Sequence, residues 1–253
     1  MPDAEQQQIE LPPDLETLRI VVRPIGLSLT LEQLQQFARY RELLLDWNQR
    51  INLTAITAPQ DVLIKHFLDA LACLFVIPPA EHSKRLRLLD VGSGAGFPGL
   101  PLQIAFPDWQ VTLLEATGKK VRFLETIIAS LNLSQARAIQ GRAEELAHDS
   151  QHRARYDLVT ARGLAALPTL LEYCLPFCHP GGLVVAPKKG EISTEVKQGN
   201  RAAALLGGRF IETHPFSLPG LEDQRALVVF EATRGAPAHY PRRAGAPVKH
   251  PLG

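Results

Sequence analysis

Cysteine is scarce in this 253-residue chain, which has only Cys73, Cys174 and Cys178. An odd number, with no histidine cluster beside it, argues against a disulfide framework and against a bound metal such as zinc. Cys174 and Cys178 lie four apart and are expected on one helical face as buried free thiols, because free cysteine packs as a small hydrophobe. Net charge is scarce too: 27 Lys and Arg oppose 26 Asp and Glu, a formal +1. No global field then marks a nucleic-acid binder, and any basic surface must be local. No apolar run approaches the roughly 18–20 residues that span a bilayer, and no charged-then-apolar leader opens the chain. A cytoplasmic protein without a membrane partner is expected. What is present is ordinary for a globular protein, 45% hydrophobic and 21% charged residues, at a length that buries a good core.

Four stretches differ in rhythm. Residues 1–29 are polar and then punctuated by Pro12, Pro13 and Pro24, which predicts a flexible or extended N-terminus. Residues 30–80 form a helical extension. Thr30 and Gln33 make a capping box, and Leu31, Leu34, Phe37, Leu44 and Trp47 recur at helical spacing. A second helix is predicted after Thr57, with Gln60 three residues on, running through Val62, Phe67 and Leu71 until Pro78-Pro79 stops it. Residues 81–232 alternate strand and helix. The predicted strands are 86–91, 110–115, 136–140, 156–161, 182–187, 209–214 and 226–231, and the helices fall near 98–106, 119–131, 165–178 and 193–206. That order implies a parallel sheet covered by helices on both faces. Only a loop with Pro219-Gly220 separates the last two strands, so the final strand is expected to run antiparallel. Residues 233–253 form a tail rich in Pro, Arg and Gly.

The most informative stretch is Leu88-Leu-Asp-Val-Gly-Ser-Gly-Ala-Gly-Phe-Pro-Gly99. A buried strand runs into glycines at alternate positions, Gly92, Gly94 and Gly96. Such a turn lets backbone approach a ligand closely, and the nucleotide crevice of an open α/β sheet lies there. A G-x-G-x-x-G dinucleotide loop would need glycine at Phe97, and a P-loop would need Gly-Lys-Ser/Thr at Gly99-Leu100-Pro101; neither fits. Asp90 followed by G-x-G-x-G resembles motif I of S-adenosylmethionine-dependent methyltransferases, and the resemblance implies that Asp90, Gly92, Gly94 and Gly96 bind the cofactor. With the strand order above, that implies a Rossmann-like fold of seven strands.

The remaining chemistry is sought at the strand ends. Glu115 ends the second strand about 20 residues beyond the loop, where this fold places an acid on ribose hydroxyls; Ala116 and Thr117 continue that turn along the ligand. After the third strand, Ala143 and Glu144 are candidates for reading the adenine edge. Arg162, after the fourth strand, would pair with the cofactor's carboxylate or with a phosphate. His66 and Asp69 have the spacing of a local pair. The fourth strand lacks Asn/Asp-Pro-Pro-Tyr/Phe and lacks Pro-Cys, leaving no evident general base or nucleophile. Such a site suits an atom with a free lone pair, such as guanine N7, attacked by proximity alone. A methyltransferase acting on a small molecule or protein, a nicotinamide-dependent oxidoreductase and a non-catalytic RNA-binding module remain open at this point.

Asp90-Val-Gly-Ser-Gly-Ala-Gly-Phe-Pro-Gly99, Asn52-Leu-Thr54, Lys65-His-Phe-Leu-Asp69, Lys119-Lys-Val-Arg-Phe-Leu124 and Tyr156-Asp-Leu-Val-Thr-Ala-Arg162 together resemble the RsmG family (glucose-inhibited division protein B) over residues 30–250. The resemblance implies methyl transfer from S-adenosylmethionine to N7 of a guanine in bacterial 16S rRNA or a small-subunit precursor. It implies cofactor contacts at Gly92, Phe97, Glu115, Ala116, Thr117, Ala143, Glu144 and Arg162. A near-neutral RNA binder must concentrate its cations. Lys188 and Lys189 at the fifth strand's end, and Arg242, Arg243 and Lys249 in the acid-free tail, are the candidates. A monomer is expected.

Overall fold

The computed structural model describes residues 13–82, 85–218, 220 and 223–253. Seven strands form one sheet: β1 (Arg87–Val91), β2 (Gln110–Glu115), β3 (Ala136–Gln140), β4 (Tyr156–Thr160), β5 (Cys178–Lys189), β6 (Gly208–Phe216) and β7 (Arg225–Ala232). Their order is β3-β2-β1-β4-β5-β7-β6. The first five are parallel, whereas β7 is antiparallel to both β5 and β6. Order reverses at β1, which sits between β2 and β4, and ligands of open α/β sheets bind at such a switch point. Register aligns the carboxyl ends there, with Val91 beside Leu114, Asp90 beside Thr160 and Glu115 beside Gln140.

Two apolar layers cover the sheet. One buries Leu88, Val111 and Leu113 against Phe37, Tyr40, Leu44, Phe67 and Phe123. The other buries Leu89, Val159 and Val184 against Leu167, Leu171, Phe177 and Phe230. The N-terminal helices belong to the first layer, so they complete the core instead of forming a separate unit. Part of the expected flexible N-terminus is also helical: α1 (Pro13–Val21) buries Leu15 and Leu18, with proline at the first helical position, where its missing N–H costs nothing. Residues 1–12 lie outside the described residues.

α2 (Leu31–Asn48) carries the expected capping box, Thr30 Oγ1 accepting from Gln33 N while Gln33 Oε1 accepts from Thr30 N. The second helical run, α3, starts one residue later than expected. It is capped by Ala58 without a side-chain bond, so the Thr57–Gln60 box is absent. It is also irregular: an α turn (Pro59–Val62) passes into a π-helical stretch (Leu63–Leu68), a short α segment (Asp69–Leu71) and a 3-10 turn (Ala72–Phe75). Such widened turns recur at functional sites, and this one carries His66.

Further helices are α4 (Pro79–His82), α5 (Gly99–Ala105), α6 (Gly118–Ser130), α7 (Ala143–Leu146), α8 (Leu167–Cys174), α9 (Ser193–Leu206) and α10 (Ala246–Lys249). Cys178 opens β5, so it does not share a helical face with Cys174; all three cysteines are buried and free.

The tail is folded. Arg153 donates to the carbonyls of Ala236, Pro237 and Tyr240, Thr169 donates to Pro247 O at 2.8 Å, and Leu252 packs on the second layer. Among the described residues, no helix is long and apolar enough to cross a membrane.

Candidate active site

The glycine loop leaves β1 with Gly92, Gly94 and Gly96 all at positive φ (71°, 58° and 96°), a region that side-chain-bearing residues rarely adopt. The three glycines do different things. A Cβ on Gly94 would meet nothing nearer than 3.9 Å and would project into open space, whereas one on Gly96 would lie 2.4 Å from Leu100 Cδ1 and 2.6 Å from the Tyr40 hydroxyl. Gly94 therefore keeps room for a ligand, and Gly96 keeps room for the core. Tyr40 reinforces the loop from behind by donating to Ala95 O.

Asp90 also works from behind. It is fully buried; its Oδ2 accepts from Gly99 N at 3.0 Å and its Oδ1 from the Thr160 hydroxyl at 3.4 Å. Burial raises its pKa to about 6, with the Gly99 N–H and the charge of Arg162 pulling the other way. The expectation that Asp90 and Gly96 touch a cofactor is corrected accordingly: both are walled off by protein and brace the turn.

In front of the loop lies a cavity of about 400 Å³. Gly92, Gly94, Glu115, Ala116, Ala143, Glu144 and Arg162 all line it. They are joined by Lys120, which the sequence offered only as part of the Lys119-Lys-Val-Arg-Phe-Leu124 motif, and by Leu164, Tyr173 and Val248, which were not singled out. Thr117 does not line it; it caps α6 and donates its N–H to Glu115 Oε1 at 2.8 Å. Glu115 Oε2 meanwhile accepts from Gly94 N at 3.0 Å. Each oxygen of a carboxylate has two acceptor positions, so Glu115 pins both turns and keeps capacity for two further hydroxyls. Glu144 is buried, accepts from Gly245 N at 3.3 Å, and raises the Tyr173 phenol toward about 12, second to burial. The tail thus reaches the cavity wall.

A second cavity, about 140 Å³, shares Gly92, Gly94 and Arg162 with the first and adds Leu53, Thr54, His66, Ala95 and Phe97. Phe97 belongs here and does not line the first cavity. Its ring stacks on His66 at 4.4 Å between centroids, and the Arg162 guanidinium lies over it at 4.9 Å. Arg162 is committed within the protein: Nη1 donates to Asp69 Oδ2 at 2.9 Å and Nη2 to His66 Nδ1 at 3.1 Å. The expected His66–Asp69 pair does not form. Asp69 is answered instead by Arg162 and by Arg225, whose Nη1 lies 2.5 Å from Oδ1. The long sequence separation of Arg225 hid it from local patterns. Thr54 stands in the Asn-Leu-Thr motif, the one signal that marked it.

Two of the proposed RNA-facing cations are also committed. Lys188 Nζ donates to Glu195 at 2.6 Å and to Ala165 O at 2.8 Å. Arg242 donates three bonds to the fully buried Glu172. Their candidacy is corrected to structural roles, because the charge is already neutralised by an internal partner. Lys189, Arg243 and Lys249 are exposed.

Comparison with known proteins agrees with this geometry. The chain is 50% identical over 228 residues to a ribosomal RNA small subunit methyltransferase G of Dehalococcoides mccartyi, covering 90% of this chain and 95% of that protein. It is 46% identical over 237 residues to the one of Roseiflexus castenholzii, covering 94% and 99%. Among solved structures it is similar in fold to M. jannaschii TYW2 in complex with AdoMet (TM-score 0.52, 14% identity, 66% of this chain and 76% of that one). It is similar also to the antibiotic-resistance methyltransferase Kmr (TM-score 0.50, 16% identity, 62% and 92%). The family model described as GidB, rRNA small subunit methyltransferase G, matches residues 33–226, which take in every lining residue of both cavities except Val248, and the chain belongs to that family.

Proposed function

We propose that this protein transfers a methyl group from S-adenosylmethionine to N7 of a guanine in small-subunit ribosomal RNA. The observation that carries the reading is a pair of joined cavities at the switch point, one floored by Gly94 and faced by Glu115, the other opening beside it at Arg162. The residues of the first suit the cofactor: a glycine floor with free space above it, a carboxylate with two spare acceptor positions, and Ala143 and Glu144 at the far wall. Glu115 would hold the ribose hydroxyls, and Ala143 with Glu144 would read the adenine edge. Bound S-adenosylmethionine supplies an electrophilic sulfonium methyl.

No side chain has to take a proton. Guanine N7 carries a free lone pair, and His66, the titratable ring in the second cavity, is held neutral. Burial and then the charge of Arg162 push it down to about 3. The chain's contribution is to seat two partners in line, which is worth up to about 7–11 kcal/mol where geometry is good. RNA would approach across the exposed Lys189, Arg243 and Lys249.

The test offers labelled S-adenosylmethionine with naked 16S rRNA, small ribosomal subunits and a metabolite extract. Label in RNA that becomes cleavable by borohydride and aniline, the chemistry of N7-methylguanine, is expected. Label confined to the metabolites would defeat the reading.

A further inference from the structure

The second cavity holds a hydroxyl whose direction is dictated by its neighbours. Thr54 Oγ1 lies 2.8 Å from His66 Nε2 and accepts the Ile56 N–H at 3.0 Å. The other ring nitrogen, Nδ1, faces Arg162 Nη2 at 3.1 Å. A guanidinium only donates, so Nδ1 accepts and the single proton of the neutral ring sits on Nε2, pointing at Thr54. A hydroxyl oxygen has two acceptor positions, and both are filled, by Nε2–H and by the Ile56 N–H. What Thr54 retains is its own O–H proton, and the side chain borders the cavity lined by Gly92, Gly94, Phe97 and Arg162.

We propose, on the strength of the guanine-N7 reading, that Thr54 determines base specificity by donating its hydroxyl to O6 of the target guanine. N7 and O6 are neighbouring acceptors on one edge of guanine, whereas adenine sets an amino donor beside N7. A donor fixed next to the reacting nitrogen completes a bond with guanine and meets another donor in adenine. His66 and Arg162 are positioning residues here: Arg162 sets the tautomer, and the tautomer turns the threonine proton outward.

The experiment measures methyl transfer to small-subunit RNA bearing guanine or 2-aminopurine, which lacks O6, at the modified position. The enzymes compared are the unaltered protein, Thr54→Ser, Thr54→Val and, in case valine disturbs the turn, Thr54→Ala. S-adenosylmethionine affinity is followed separately by calorimetry. The unaltered protein and Thr54→Ser should prefer guanine over 2-aminopurine by about five- to tenfold more than Thr54→Val or Thr54→Ala do, the value of one hydrogen bond. Cofactor affinity should be the same in all four. If the valine and alanine variants keep the full preference for guanine, the hydroxyl is only a local brace and the proposal is overturned. If the unaltered protein methylates neither RNA while still binding S-adenosylmethionine, the guanine-N7 reading fails first and takes this inference with it.

Discussion

Replacing Arg242 with alanine should destabilise the protein, and the size of the loss separates a structural arginine from an RNA-facing one. Glu172 is fully buried and accepts from Arg242 N, Nε and Nη2 at 2.8, 2.9 and 2.7 Å. The truncation removes the two side-chain donors and the opposing charge, leaving a buried carboxylate with one backbone N–H. Stripping one partner from a buried pair costs about 3–5 kcal/mol. Arg242 is 28% exposed, so water can partly reach the vacated place, and about 2–4 kcal/mol is the reasonable range. Out of a total of about 5–15 kcal/mol, that loss is readily seen in urea unfolding followed by circular dichroism. Proteolysis should reach the tail sooner as well, because Arg242 sits in the segment that Arg153, Thr169 and Glu144 hold down. Replacing both partners with methionine should recover much of the loss, since an apolar pair of similar volume often substitutes for a buried ion pair without penalty. A stability change within about 0.5 kcal/mol for Arg242→Ala, as expected of an ordinary surface site, would refute the reasoning.

Other perturbations test the glycine loop and its supports. Gly94→Ala should abolish S-adenosylmethionine binding in calorimetry at a stability cost of about 1–2 kcal/mol, the strain of its positive φ, whereas Gly96→Ala should chiefly lower the melting temperature, because its Cβ strikes Leu100 and the Tyr40 hydroxyl. Glu115→Ala should weaken S-adenosylmethionine by about 1–3 kcal/mol, the value of charge-assisted bonds; unchanged affinity would remove it from the site. Asp90 titrates near 6 in the folded protein, above the ordinary value of about 3.9, so the folded state binds the extra proton between those values. Its contribution therefore falls by about 3 kcal/mol as pH rises from about 4 to 6. His66, with its folded value lowered to about 3, contributes the opposite slope, stability being lost as pH falls below about 6.5. The difference between the unaltered protein and Asp90→Asn across that window isolates Asp90, and identical slopes would show that the carboxyl is not strained by burial.

The sheet was legible because its signals are local. Short apolar runs such as 88–91 and 111–114 end at glycine or acid, and the observed strands fall within one or two residues of the predicted ones, except β5. That strand begins four residues early, at Cys178, since Cys178 already pairs with Tyr156 before residues 179–182 bulge out and the ladder with β4 resumes at Leu183 and Leu158. The helix at Pro13–Val21 was missed for a similar reason: two prolines look like breakers, yet one opens the helix. The first cavity was largely foreseen, because its walls are the turns after β1, β2 and β3. The second was not, because its side chains arrive from α3 (His66), from the loop before it (Leu53 and Thr54) and from the turns after β1 and β4, brought together only by packing.

Charge placement was the least legible feature, and it bears on how RNA is held. A sequence shows how many cations a segment carries and not which of them are answered from afar. Arg162 and Arg225 meet Asp69 across 93 and 156 residues, and Arg242 meets Glu172 across 70. An arginine neutralised inside the fold releases no counterion when RNA binds, whereas an exposed one does. The salt dependence of RNA binding should then map onto Lys189, Arg243 and Lys249, each exposed, with each alanine substitution reducing the slope of log affinity against log salt by about 1. Arg242→Ala, by contrast, should leave that slope unchanged at temperatures where the variant stays folded. Filter binding across a salt series decides the matter: a slope that drops for Arg242 and holds for the three exposed cations would mean that RNA displaces the internal partner, and the assignment of roles drawn from the structure would have to be reversed.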